Sequence, residues 1–160
     1  MKKPLVIYYS LEGNTRFIGE KIAQNLNADL IELKPKKEIK SNNFMKFFWG
    51  GKQVYMKNTP ELLPFNQNFA EYDNIFMGTP IWAWTYAPPI RTLASLQIIN
   101  HKNLYLFCTH EGGVRNALKR FTAAFSKNNK IISTLDIFKP LKNKKESNDK
   151  VDAWLDSINT

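Results

Sequence analysis

Cysteine is nearly absent. Cys108 is the single one in 160 residues. One thiol can form neither an internal disulfide nor a cysteine cluster for metal, and a cytoplasmic protein is the expectation. Long apolar runs are missing too. None approaches the roughly 20 residues of a membrane span, so no membrane-spanning segment is expected. The basic opening Met1-Lys2-Lys3-Pro4 leads into an apolar run too short for a secretory signal, which reads as a first strand. No internal repeat or low-complexity linker interrupts the chain. A single domain over residues 1–160 is expected, long enough to bury a substantial core.

Negative charge is in short supply. There are 14 Asp plus Glu against 23 Lys plus Arg, a formal net charge of +9. Such a balance can favour nucleic acid, anionic membrane or acidic proteins. The lysines, however, are scattered or sit in polar connections (34–40 and 139–150), and no recognition helix or RNA-stacking motif accompanies them. No nucleic-acid partner is expected. Two phosphate chemistries are also excluded. A tyrosine-phosphatase loop needs Cys-x5-Arg before a helix, whereas six residues separate Cys108 from Arg115. A phospho-receiver domain wants an Asp at the end of the third strand, where Gly78-Thr79 stands.

What is present is an alternation of apolar runs and helical patterns. Residues 5–9, 29–33, 74–78, 103–108 and 130–138 read as strands. The run Ile75-Phe76-Met77 suits a strand covered on both faces. Between strands, Ile18, Ile22 and Leu26 recur at helical spacing, with Gly19 and Ala23 allowing close approach to a sheet. Pro88-Pro89 suits a helix start, where missing N–H groups cost nothing. Val114, Ala117, Leu118, Phe121, Ala124 and Phe125 trace one face of a later helix, and Val151, Trp154, Leu155 and Ile158 a closing one. This pattern predicts a three-layer, doubly wound α/β domain with a five-stranded parallel sheet in the order 2-1-3-4-5. Residues 35–70 break the rhythm, with an aromatic knot at Phe44, Phe47, Phe48 and Trp49. An amphipathic crossover helix is expected there, with a lid or docking surface as the alternative.

Three loops at the carboxyl ends of adjacent strands carry the candidate chemistry. The first, Ser10-Leu11-Glu12-Gly13-Asn14-Thr15, opens directly into a helix and offers hydroxyls, an amide and free N–H groups at a positive helix end, a device for a phosphate monoester. The second, Thr79-Pro80-Ile81-Trp82-Ala83-Trp84-Thr85-Tyr86, brings large flat rings. The third, Thr109-His110-Glu111-Gly112-Gly113, is glycine-rich and can approach a ligand closely. A phosphate at one end and a planar aromatic group at the other describe flavin mononucleotide (FMN).

Three motifs in order, each behind a strand, carry a resemblance: Ser10-x-x-Gly13-Asn14-Thr15, Gly78-Thr79-Pro80-Ile81-Trp82 followed by Ala87-Pro88-Pro89, and Phe107-Cys108-Thr109-x-x-Gly112-Gly113. From end to end the chain resembles the flavodoxin family, in its short-chain form. The resemblance implies noncovalent FMN, with its phosphate on Ser10, Asn14, Thr15 and the N–H groups of Leu11, Glu12, Gly13, Asn14 and Thr15. It implies that backbone groups of Pro80, Ile81, Trp82 and Ala83, and of Thr109, His110, Glu111, Gly112 and Gly113, meet the ring edge. Thr79 belongs to the same cofactor-binding set. Trp82 is the first candidate for ring contact, ahead of Trp84 and Tyr86.

The expected function is electron transfer between redox partner proteins, acidic ones suiting the reversed charge. The alternative is an FMN-dependent NAD(P)H:quinone-type oxidoreductase. No residue stands out as an acid–base catalyst; His110 reads as a loop residue bonded to backbone, and Cys108 as an inert apolar one. Two departures from the family are visible. The positive charge should raise the low-potential flavin couple. The loop after the third strand lacks a glycine at Trp82-Ala83-Trp84, so a peptide flip needing positive φ should cost about 1 kcal/mol or more, weakening one-electron-reduced flavin.

Overall fold

The computed structural model describes residues 2–38 and 59–158. The elements run β1 (Leu5–Tyr8), α1 (Asn14–Leu26), β2 (Asp29–Glu32), a 3-10 turn (Phe69–Glu71), β3 (Asn74–Trp82), β4 (Thr85–Tyr86), α2 (Pro88–Ser95), β5 (Asn103–His110), α3 (Ala117–Phe125), β6 (Lys130–Phe138) and α4 (Lys144–Ile158). The sheet order is β2-β1-β3-β5-β6, and each of those neighbours pairs in parallel. The two-residue β4 folds back antiparallel on β3. Counted as parallel strands alone, this is the expected 2-1-3-4-5.

Side chains of β1 show why three layers form. Successive residues point to opposite faces of a strand. Leu5 and Ile7 enter one core, with Ile90 and Leu93 of α2 and Phe121 and Phe125 of α3. Val6 and Tyr8 enter the other, with Ile18 and Ile22 of α1 and Val151, Trp154 and Leu155 of α4. Helices therefore cover both faces of a sheet in which β1 is buried along its whole length, as parallel sheets require.

Two glycines set close approaches. A Cβ at Gly19 would lie 2.7 Å from the Tyr8 ring, so α1 rests on β1 as the Gly19–Ala23 face suggested. A Cβ at Gly78 would lie 2.1 Å from Phe107, its direct register partner on β5. The Phe107 ring thus takes the space above the backbone of β3.

Boundaries moved where polar or aromatic residues had suggested loops. β3 continues to Trp82 and β5 to His110, because pairing with neighbouring strands persists through Pro80↔Thr109 and His110↔Phe138. α3 starts at Ala117 rather than at Val114, since Arg115 takes a left-handed φ of 43°. The expected crossover helix and aromatic knot at Phe44 to Trp49 lie outside the described residues. The flanks of that segment are tied together by a bridge between Pro35 and Leu62, with Lys36 N–H donating to the Glu61 carbonyl at 2.8 Å. Glu38 accepts from the Tyr9 hydroxyl at 2.9 Å, placing one flank beside the first loop.

Candidate functional site

β1 ends at Tyr8, and six residues later the chain is helical. The loop between is closed by Ser10, whose Oγ accepts the Gly13 N–H at 3.1 Å. Gly13 is the N-cap residue, with φ 90°, a conformation that costs an L side chain and suits glycine. The first helical bond runs from Phe17 N–H to Gly13 C=O at 2.9 Å. The N–H groups of Asn14, Thr15 and Arg16 therefore open the helix without intrahelical acceptors. The cap has no side-chain acceptor and the first turn no acidic residue. The positive end of a 13-residue helix is left to a ligand.

Three more donors converge on it. Ser10 is buried and, having accepted from Gly13, keeps its hydroxyl proton to donate. Thr15 and Thr109 are buried with their hydroxyl oxygens 2.8 Å apart. One of the two donates to the other, and the accepting one retains a proton for a third group. This pair fastens the α1 start to the end of β5. Asn14 Oδ1 accepts the Leu141 N–H at 3.2 Å, which turns the carboxamide so that its NH2 group remains for a ligand. Leu141 also covers Gly13, its Cδ1 lying 3.6 Å from where a Cβ would stand. The cluster is rich in donors and poor in acceptors, the chemistry of an anion site. Arg16 does not contribute its guanidinium. That group pairs with Glu32 at 2.6 Å on β2. Beneath the helix, the Tyr8 phenol is pushed up to about 12, by burial first and by Glu32 and Glu20 next.

The second loop is a β-hairpin. The register Ile81↔Tyr86 and Trp82↔Thr85 leaves Ala83 and Trp84 as its two central residues, with φ 45° and 58°. Positive φ at both central positions is the tight hairpin turn matched to strand twist. The sequence reading put a cost on positive φ in this loop, which has no glycine at these positions. Strand pairing imposes it on Ala and Trp instead, at roughly 1 kcal/mol or more per residue. Thr79 is fully buried and pins the hairpin, its Oγ1 accepting the Ala87 N–H at 2.9 Å and donating to the Pro80 carbonyl at 3.0 Å. Pro80, Ile81 and Ala83 are half-buried. Trp82 turns inward, edge-on to Tyr9 with ring centroids 5.5 Å apart. Trp84 points outward at 41% exposure, with the Arg115 guanidinium 4.3 Å from its ring centroid. Tyr86 packs on Phe121.

The third loop leaves β5 at His110. Glu111 and Gly112 are exposed, and Gly113 has φ 117°. A Cβ at Gly112 or Gly113 would meet nothing within 4 Å, so this edge of the site borders open space. His110 Nδ1 accepts the Gly113 N–H at 3.1 Å, and Nε2 lies 3.2 Å from Asp136 Oδ2. Cys108 is fully buried, and its thiol is pushed far up, by burial first and then by Asp136. An inert thiol was expected and fits that environment.

Strands β1, β3 and β5 are adjacent, so all three loops stand at one sheet edge, the first and third joined by the Thr15–Thr109 bond. Three participants escaped the sequence reading: Leu141, Asp136 and Arg115. Leu141 acts through its backbone N–H on a residue 127 positions away, which leaves no side-chain signal. Asp136 reaches His110 only through the β5–β6 register. Among the described residues no group of three or more His, Cys, Asp or Glu could hold a metal ion, and no helix is long and apolar enough to cross a membrane.

Comparison with known proteins agrees with the fold. A family model described as Flavodoxin matches residues 3–158. No match is found among curated proteins. Among solved structures, a protein from Bacteroides eggerthii superposes with a TM-score of 0.79 at 23% identity, covering 100% of this chain and 99% of its own. A flavoprotein from Lactobacillus acidophilus in complex with FMN gives 0.73 at 25% identity, covering 91% and 98%. Oxidised Flavodoxin 2 from Bacillus cereus gives 0.60 at 16% identity, covering 95% and 94%.

Proposed function

The chain belongs to the flavodoxin family, and from that premise we propose that it binds FMN noncovalently and carries electrons between redox partner proteins. The observation that carries this reading is the donor cluster at the start of α1. It combines N–H groups at Asn14, Thr15 and Arg16 with hydroxyl protons at Ser10 and the Thr15–Thr109 pair. A phosphate monoester is all acceptors and doubly charged near neutral pH, and it matches that set. Each charge-assisted bond is worth about 1.5–3 kcal/mol. The fit needs no lysine, because helix-end dipoles and hydroxyls supply the donors.

FMN supplies the electron-accepting and electron-donating chemistry when bound. The chain's own part is to seat and orient it. Ser10, Asn14 and Thr15, with the backbone N–H groups of Leu11, Glu12, Asn14, Thr15 and Arg16, would hold the phosphate, while the Gly13 N–H is engaged by Ser10 Oγ. Backbone groups of Pro80 to Ala83 and of Thr109 to Gly112 would border the ring. Trp84, outward at the hairpin tip, replaces the inward Trp82 as the first candidate for ring contact. The FMN complex of the similar L. acidophilus protein supports the cofactor assignment.

A carrier is favoured over a reductase because His110, the one imidazole at the site, has both ring nitrogens engaged by Gly113 and Asp136. The +9 charge suits acidic partners, and the lone cysteine suits a cytoplasmic setting. The test is steady-state NAD(P)H oxidation by FMN-loaded protein, with and without a quinone. No turnover above free FMN is expected. Rapid, saturable, quinone-dependent oxidation would replace the carrier by the oxidoreductase.

A further inference from the structure

The third loop is not held by its glycines alone. His110 accepts the Gly113 N–H on Nδ1 at 3.1 Å, and its Nε2 faces Asp136 Oδ2 at 3.2 Å. A carboxylate can only accept, so Nε2 carries the proton. An amide N–H can only donate, so Nδ1 carries the lone pair. Both neighbours thus select the same neutral tautomer. The histidine side chain is 10% exposed, and its ring packs 5.6 Å from that of Phe138. Its backbone carbonyl is fixed as well, accepting the Lys139 N–H at 2.9 Å.

We infer that Asp136 and His110 are positioning residues for the proposed FMN site, forming a relay from β6 through the imidazole to Gly113 that shapes the third loop only while His110 is neutral. The inference rests on the FMN reading for its ligand, but the relay itself is a property of the chain. Protonation of His110 puts a proton on Nδ1. Two donors, Nδ1–H and Gly113 N–H, then face each other at a hydrogen-bonding distance, and the loop must let go. A Cβ at Gly112 or Gly113 would meet nothing within 4 Å, so packing at these two positions does not stand in for the lost bond.

The charged groups near the ring are Asp136, whose Oδ2 faces Nε2, and Lys150 of α4, with Nζ 3.9 Å from that oxygen. Glu111 is next in the chain, and Lys139 directs its Nζ over the Phe138 ring at 4.9 Å. FMN that needs the anchored loop binds the neutral form better, and its binding weakens once acid protonates the imidazole.

The tautomer is read first, in the ligand-free protein, from imidazole nitrogen chemical shifts at about pH 8. Protonated Nε2 with bare Nδ1 is expected, with Asp136→Leu letting Nδ1–H appear. Protonated Nδ1 in the unaltered chain would overturn the relay whether or not flavin binds. FMN dissociation constants are then measured at about pH 5.5 and about pH 8 for the native chain and for His110→Asn. The Asn Oδ1 can stand where Nδ1 stood and accept from Gly113, but it does not titrate. The FMN phosphate titrates in the same window and affects both chains alike. The acid weakening should exceed that of His110→Asn by about fivefold or more, the value of one lost hydrogen bond. Equal pH dependence in the two chains would overturn the inference. Absence of any FMN binding would overturn the function and the coupling to it, while the tautomer still decides the relay.

Discussion

Replacing Asn14 by Asp should move stability and cofactor affinity in opposite directions. The side chains are nearly the same shape, and a carboxylate can still accept the Leu141 N–H that Asn14 Oδ1 accepts at 3.2 Å. It adds a negative charge at the first position of a helix whose first turn has none. That favours the ligand-free fold by about 0.3–1 kcal/mol through the helix dipole. For a bound phosphate the effect reverses. The NH2 donor is gone, and a single charge about 5 Å from a dianion is repelled by about 2–3 kcal/mol at an effective dielectric constant of about 40–80. FMN affinity should fall about 30-fold to 150-fold. Chemical denaturation of the flavin-free protein and fluorescence titration with FMN, both at low salt to limit screening, read the two effects. Unchanged FMN affinity would refute the phosphate assignment. Loss of stability and affinity together would mean that Asn14 serves the fold and not the ligand.

Further outcomes follow from local geometry. Ala83→Gly should stabilise the protein by about 0.4–1 kcal/mol, the relief of a left-handed Ala (about 1–2 kcal/mol) less the added freedom of the unfolded chain (about 0.4–1 kcal/mol); a lowered Tm would contradict strain of that size in the hairpin. Gly78→Ala should destabilise by about 1–3 kcal/mol through collision with Phe107. Adding Phe107→Leu should recover part of that loss, and strictly additive losses would show that the two sites do not meet. Cys108 should resist thiol reagents at pH about 8 until the protein unfolds, since burial and Asp136 keep the proton on sulfur; rapid labelling of native protein would refute the closed environment.

The sheet and helices were legible because their signals are local. The continuous apolar run at Ile75-Phe76-Met77 and the stripe Ile18, Ile22, Leu26 each encode burial within one element. The alternation of such elements dictates parallel order. Loop one was legible as well, since Ser10, Gly13 and Asn14 act within a few residues of one another. The limits of β3 and β5 were not. Pro80, Trp82 and His110 look like loop residues, and only pairing with a neighbouring strand keeps them extended. The sequence ranked Trp82 ahead of Trp84 for ring contact, but which ring turns inward to Tyr9 is decided by alternation along the hairpin, which the sequence did not show. Asp136 and Leu141 act through register and through a backbone N–H, and neither leaves a pattern in sequence.

Paired titrations of the flavin-free protein with FMN and with riboflavin bear most directly on the account. The two ligands share the ring and differ by the phosphate. Saturable one-to-one binding of FMN, with riboflavin weaker by about a hundredfold or more, is the predicted result, since two or more charge-assisted bonds at the α1 start are lost. Equal affinity for both, or no association with either, would contradict it.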